Sequence, residues 1–394
     1  MKNTFTVSAL ALAKALEQVT PVVAQNPMVP ATACVLLVGR GTPAAGGAQL
    51  HLLCTNLETR LTTVLDIECA ENFAICIEAK LLLTTVKGFP DAPLHGRVDG
   101  HVLHLRCGRS NYQLVGEDPA GFPQVKKAAA GARTLRIPSY LLHEALSAAL
   151  AVANTVTNVA SAFTNAVLVE TTNQYAAFVG TSGTRLAAYT FDSDDDRSGG
   201  AIHWGTEYIH HLIPKGAADY LKRAISAKSP ADVELIFDAD TCRTADNRWY
   251  TRLMDVEFPE YRRVFPPTFT STLTVEHGEI MGALRRLAAY TDHGDSVALH
   301  VAQDGTCVLR ADNPMTGHHG EEVLTGDLIG EGLSIGFPAG QLVSILGLWD
   351  GGRVQLGLNG PQRGVILTQD ADSADTGLAC MIAPTAVVRP LEEV

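Results

Sequence analysis

Several groups of residues in this 394-residue chain have types and spacings that could do chemistry. Gly180-Thr181-Ser182-Gly183-Thr184 is similar to the sharp turn that presents a nucleophilic serine, but Thr184 stands where that turn needs its second glycine. Asp192, Asp194 and Asp196 alternate like the start of a calcium loop. Arg197 replaces the turn glycine there and His203 the closing glutamate, so a solvated acidic loop is expected. The pairs His210-His211 and His318-His319 carry metal-ligating rings, yet adjacent residues point apart on a helix or a strand. No phosphate loop and no H-E-x-x-H motif occurs, and Gly39-Arg40-Gly41 does not continue as a dinucleotide fingerprint. These absences lead to the expectation of a non-enzyme with no cofactor and no metal.

The eight cysteines (Cys34, Cys54, Cys69, Cys76, Cys107, Cys242, Cys307 and Cys380) form no C-x-x-C pair and fall mostly in apolar, strand-like runs. They read as buried free thiols of a reducing compartment. Thr6 and Ser8 interrupt the apolar run at the N-terminus, and Lys14 and Glu17 follow at helical spacing, which favours a cytoplasmic helix over a signal peptide. The 46% hydrophobic content, without any apolar run of membrane-spanning length, indicates a globular chain with no membrane partner. A formal charge of −12 argues against nucleic acid bound over the whole outer surface, so any such contact must be local.

The elements that would position such a contact repeat along the chain. Phe5-Thr6-Val7, Leu135-Arg136-Ile137 and Leu273-Thr274-Val275 each lead into a helical pattern with an Ala-Leu pair, at Ala15-Leu16, Ala145-Leu146 and Ala283-Leu284. A second set of strand-to-helix entries lies between them, at Ile77 to Lys80, Ile213 to Gly216 and Phe337 to Gly340, with Pro214 and Pro338 expected in the first helical turn. The fold class expected is therefore α+β: three repeats of about 1–130, 131–266 and 267–394, each made of two strand–helix–strands half-units. The 126–131 run supplies a flexible joint and Phe265 to Thr268 a stiff one. Helices are predicted over 8–19, 79–88, 138–153, 215–227, 277–290 and 338–349. They hold eight basic residues (Lys14, Lys80, Lys87, Lys215, Lys222, Arg223, Arg285, Arg286) against Glu17, Glu144, Asp219 and Glu279, so net positive charge collects on helices in an acidic chain. Sequence-independent duplex binding needs only phosphate contacts of this kind.

Several motifs, in order, resemble the bacterial sliding clamp family, the beta subunit of DNA polymerase III. Phe258-Pro259-Glu260-Tyr261-Arg262-Arg263-Val264-Phe265-Pro266 is similar to the family's F-P-D-Y-R-R-V-L-P. Thr55-Asn56-Leu57-Glu58 is similar to T-D-L-E, Thr181 to Ala187 to T-D-G-H-R-L-A, and Met381-Ile382-Ala383-Pro384-Thr385 to V-V-M-P-M. Gly108-Arg109-Ser110, with Asp118 and Phe122-Pro123 downstream, fits as well.

The resemblance implies a head-to-tail homodimeric ring of clamp domains, cytoplasmic and non-catalytic, whose helices surround double-stranded DNA. Lys80, Lys87 and Lys215, with Lys222, Arg223 and Arg286, would face the DNA, and Asn26 stands where related clamps often carry Arg. A peptide groove for the polymerase III catalytic subunit, the clamp loader, and repair polymerases, ligase and mismatch-repair proteins would be lined by Thr164, Thr181, Gly183, Thr184, Arg185, Leu186, Pro259, Arg263, Val264, Met381, Ala383, Pro384 and Thr385. Thr164 replaces a usual Leu there, Ser161 an Arg, and Ala383 and Thr385 two methionines. These departures imply a narrower partner set, as in a specialised paralogue. Ring closure would use Arg109, Tyr112 and Leu114 against Ala289, Tyr290, Glu321 and Glu322.

Overall fold

The structure is a computed structural model that describes the chain except residues 1–2, 25–26, 42–46, 125–130, 155–158, 193–201, 205–207, 292–295, 314, 371–376 and 387–394. Asn26, most of the 126–131 joint and the acidic run through Asp194, Asp196 and Arg197 lie outside the described residues.

Among the described residues are six α-helices: α1 Ala9–Val19, α2 Ala79–Lys87, α3 Ser139–Val152, α4 Lys215–Ala224, α5 His277–Leu287 and α6 Ala339–Leu346. Each begins at the residue after its leading strand: Thr4–Ser8, Phe73–Glu78, Arg133–Pro138, His210–Pro214, Ser271–Glu276 and Leu333–Pro338. The last strand residue takes the N-cap position of α1, α2, α3, α5 and α6. Of these, Ser8 caps with its side chain, accepting from the Ala11 N–H at 3.2 Å.

This direct handover corrects the expected proline positions. Pro214 and Pro338 close their strands instead of opening the helices, and Pro338 is extended at φ −64°, ψ 112°. Proline's fixed φ of about −65° suits extended and helical backbone equally. Three helices also stop short of their expected ends; α5 ends at Leu287, where the chain tightens into the Ala288–Tyr290 turn. α4 stops at Ala224 because the Ser139 hydroxyl captures Ser226, accepting from its N–H at 3.0 Å and donating to its carbonyl at 2.9 Å. α6 stops at Leu346, where Gly347 caps it by donating to Val343 O at 2.9 Å.

The chain divides into two compact units, residues 1–136, 223–225 and 233–253, and residues 137–222, 226–232 and 254–394. Hydrogen-bonded sheets run through the expected repeat boundaries. In the first unit Trp249–Arg252 pairs with Thr59–Asp66, Trp249 opposite Leu61. The first unit also holds a five-stranded sheet that ends in Ser110–Val115. In the second unit Arg185–Asp192 pairs with Leu378–Ile382, so strands of the second and third repeats join in one twelve-stranded sheet.

Strand alternation gives each sheet a helix-facing side. α1 packs on the side bearing Leu50, Leu52 and Leu61, where Thr63 donates to Gln18 Oε1 at 2.9 Å. α3 packs on Tyr175–Thr181 and Arg185–Asp192 so closely that a Cβ on Gly180 would lie 2.0 Å from Ala149 O. Gly183, three residues on, closes the next turn at φ +90°. The two glycines that gave this stretch its nucleophile-elbow look thus have backbone reasons. The cysteines are free, and all but Cys69 are buried; burial pushes the Cys307 thiol up to about 11 and Cys76 to about 12.

Gly180→Ala is expected to destabilise the protein by about 1–3 kcal/mol, the usual cost of overpacking. Thermal unfolding followed by circular dichroism checks it, and an unchanged midpoint would contradict the contact.

Candidate peptide groove and helix faces

The side of the twelve-stranded sheet turned away from α3 carries an apolar cluster. Ala166 and Leu168, Ala177 and Val179, Leu186 and Ala188, Leu212, Ile366 and Met381 come from six neighbouring strands, in register: Leu168 opposite Val179, Leu186 opposite Met381, Met381 opposite Ile366. The Phe258–Phe265 segment crosses this side. It buries Phe258 and Tyr261 and half-buries Val264 and Phe265. Phe258 meets Phe163 and Tyr261 edge to face at 5.9 and 6.2 Å.

Of the residues expected to line a groove, the structure joins Leu186, Val264 and Met381 in this cluster. Thr181, Gly183, Thr184 and Arg185 form its rim as one turn. Thr181 Oγ1 donates to Arg185 O at 2.7 Å and accepts from the Gly183 N–H at 3.1 Å. Thr184 O accepts from the Ala383 N–H at 2.8 Å, which brings the C-terminal strand to the same rim. Pro259 and Arg263 are exposed on the crossing segment, and Pro384 is half-buried. Arg185 pairs with Ile382; burial lowers its pKa, and its Nε has no hydrogen-bond partner.

Two expected lining residues are committed elsewhere. Thr164 is buried with its hydroxyl on Ser161 O at 2.8 Å. Thr385 donates to Ser296 Oγ at 2.7 Å and to Gly336 O through its N–H at 2.8 Å. The expected lining did not include Phe258, Tyr261, Phe265 or Ile366, although the first three belong to the quoted motif and their apolar spacing marks a segment with one buried side.

On the helices, Lys80 and Lys87 are exposed, and Lys87 pairs with Glu17 of α1 at 2.5 Å. Lys215 and Lys222 of α4 line a cleft of about 540 Å³ with Ser147, Leu150, Asn165 and Asp219; Lys215 donates to Ala153 O at 2.9 Å. Arg223, next along α4, is exposed. Burial first, and then Lys222, lowers the pKa of His143. Arg286 and Glu322, which the resemblance assigns to two different surfaces, meet within this chain. The guanidinium grips the carboxylate at 2.7 and 2.8 Å because the end of α5 packs on the His319–Ile329 strand. That hydrogen bond holds Arg286 above and Glu322 below their ordinary pKa values. Glu321 on the same strand and Arg109 are both exposed.

Tyr112 is half exposed and stacks edge to face on Phe89 at 5.3 Å. Leu114, on the same side of the strand as Tyr112, is buried in its own unit opposite Leu103. Ala289 and Tyr290 are exposed just after α5. His210 lies 3.2 Å from Glu170 Oε2, and no cluster of three metal-ligating side chains occurs among the described residues.

Truncating Met381 to Ala should open a cavity in the cluster and cost about 2–5 kcal/mol. A denaturant melt checks this, and a change under about 1 kcal/mol would mean that the cluster does not depend on it.

The DNA polymerase III beta subunit, N-terminal domain, family matches residues 3–126, and the DNA polymerase III beta subunit, C-terminal domain, family matches residues 262–384. The beta sliding clamp of Pseudomonas putida is 26% identical over 385 residues, covering 96% of this chain and 98% of that one. That of Synechocystis sp. is 24% identical over 371 residues, covering 91% and 93%. The sliding clamp structure from Pseudomonas aeruginosa superposes with a TM-score of 0.85 at 24% identity, over 98% of this chain and 100% of that one. The structure from Bacillus subtilis gives a TM-score of 0.86 at 16% identity with the same coverage, so the fold persists where little sequence does. With both ends of the chain matched, over more than half its length in total, the chain belongs to the DNA polymerase III beta subunit family, the beta sliding clamps.

Proposed function

We propose that this DNA sliding clamp works as a ring of two chains, closed head to tail around duplex DNA, that tethers the replicative polymerase without catalysing a reaction itself. In this reading the three repeats are three clamp domains per chain, and the protein acts in the cytoplasm.

The observation that carries the ring is a pair of open strand edges. Among the described residues, Ser110–Val115 bonds only to Val102–Cys107, and residues 319–325 bond only to Thr306–Asp312. The two edges expose Val115 at 72% and Val323 at 63%, with Tyr112 and Tyr290 beside them. Unpaired edges with exposed apolar side chains invite another chain, and a closed ring would satisfy both at once. Arg109 and Glu321 supply opposite charge on the two edges.

Basic side chains on helices in a chain of −12 favour weak, salt-sensitive phosphate contacts through Lys80, Lys87, Lys215, Lys222 and Arg223. Encirclement turns such weak contacts into long residence with free sliding, because a closed ring does not have to grip what it surrounds. Arg286 is held by Glu322 and contributes less.

The apolar cluster beneath Phe258–Phe265 suits a short peptide with apolar anchors, from the polymerase III catalytic subunit, the clamp loader, repair polymerases, ligase or mismatch-repair proteins. A narrower partner set is favoured by one observation: Thr164 and Thr385 have their hydroxyls engaged inside the chain, where the family pattern has flexible Leu and Met.

The wild-type protein is expected to show twice its 41.9 kDa chain mass by native mass spectrometry, and Val323→Asp to shift it to monomer with the fold intact by circular dichroism. A monomeric wild type would contradict the ring, and a dimeric Val323→Asp variant would move the interface elsewhere.

A further inference from the structure

A buried carboxylate sits at the end of the apolar cluster. Glu170, on strand Ala166–Thr171, shares the outer side of the sheet with Ala166 and Leu168 and is 7% exposed. Its Oε1 accepts from the Tyr175 hydroxyl at 2.8 Å, its Oε2 lies 3.2 Å from His210 Nδ1, and the Arg262 guanidinium donates to it. Arg262 lies 4.9 Å from the ring centroids of both Tyr175 and Tyr261 and donates to the Tyr261 hydroxyl at 3.2 Å. Burial, and then Glu170, push the Tyr261 hydroxyl above its ordinary pKa.

A carboxylate this buried costs several kcal/mol unless a charged partner stays with it. The partner here is on a different element. Arg262 belongs to the Tyr261–Val264 turn, flanked by Arg263 and Val264 on one side and by Pro259 shortly before it. Glu170 belongs to the sheet that supplies Leu168, Leu186 and Met381. The ion pair therefore joins the wall of the groove to its floor, and the two tyrosine rings limit where the guanidinium can go. The apolar burial of Phe258 and Tyr261 is non-directional and leaves the slide of the wall along the sheet weakly specified. A directional pair fixes it.

We propose that Glu170 is a positioning residue of the peptide groove: through Arg262 it holds the Phe258–Phe265 segment in the binding-competent place before a peptide arrives. The proposal rests on the groove reading above. A pre-formed wall removes an ordering cost that a loose wall would impose on each binding event, so loss of the pair lowers the competent fraction and weakens affinity in proportion.

The test uses the full chain and a fluorescein-labelled synthetic peptide copying the clamp-binding segment of the polymerase III catalytic subunit, with affinity read by fluorescence anisotropy and stability by thermal midpoint. Glu170→Gln and Arg262→Gln are each expected to weaken the peptide by about fivefold or more, and the double variant no further, because the residues act as one unit. Arg353→Gln is the control. It breaks the cluster of Arg353 with Glu276, Asp327 and Asp370 in the same unit, away from the groove residues. It should lower the midpoint and leave peptide affinity at the wild-type value. Unchanged affinity in Glu170→Gln, additive losses in the double variant, or an equal affinity loss in Arg353→Gln would each overturn the positioning role. Absence of peptide binding by the wild type itself would overturn the groove reading and this inference with it.

Discussion

The pairing of Arg185–Tyr189 with Leu378–Ile382 is a short row of backbone hydrogen bonds on which the second unit depends. It joins a strand of the second repeat to the last strand of the third, so neither sheet ends there and one side of the combined sheet is continuous. α3 covers the opposite side, with Gly180 allowing the close approach. The free side then collects Leu186, Met381 and Ile366 as neighbours in space although up to 195 positions separate them in sequence. Phe258–Phe265 packs across that side.

The same economy governs charge. Six helices start straight from their strands, with no loop in which orientation could vary, so the basic residues on them are carried by a repeated geometry. The chain as a whole stays acidic. This segregation suits a protein that must tolerate DNA along one lining and repel it elsewhere. Among these basic residues, Lys87 pairs with Glu17 and Arg286 with Glu322, both within reach of solvent.

Much of this was legible in the sequence because it rests on local signals. The Ala-Leu pairs after β-branched residues located α1, α3 and α5, and the family motifs located the turn at Thr181 to Arg185 and the segment from Phe258. What escaped is long-range or lies at the end of an element. Arg286 and Glu322 are 36 positions apart and Glu170 and Arg262 are 92 apart, and neither pair has a periodicity to betray it. Pro214 and Pro338, expected in the first helical turn, are each the last strand residue before it, because proline fits the end of a strand as well as the start of a helix. Leu114 matches an interface pattern by position, yet it is buried in its own unit.

Encirclement is measured directly by retention on nicked circular duplex DNA, with a cognate loader and ATP. A closed ring is expected to stay on the circle through gel filtration and to be released when the circle is cut to a linear form. Equal retention on circle and linear DNA, or none on either by a protein of dimeric native mass, would contradict encirclement.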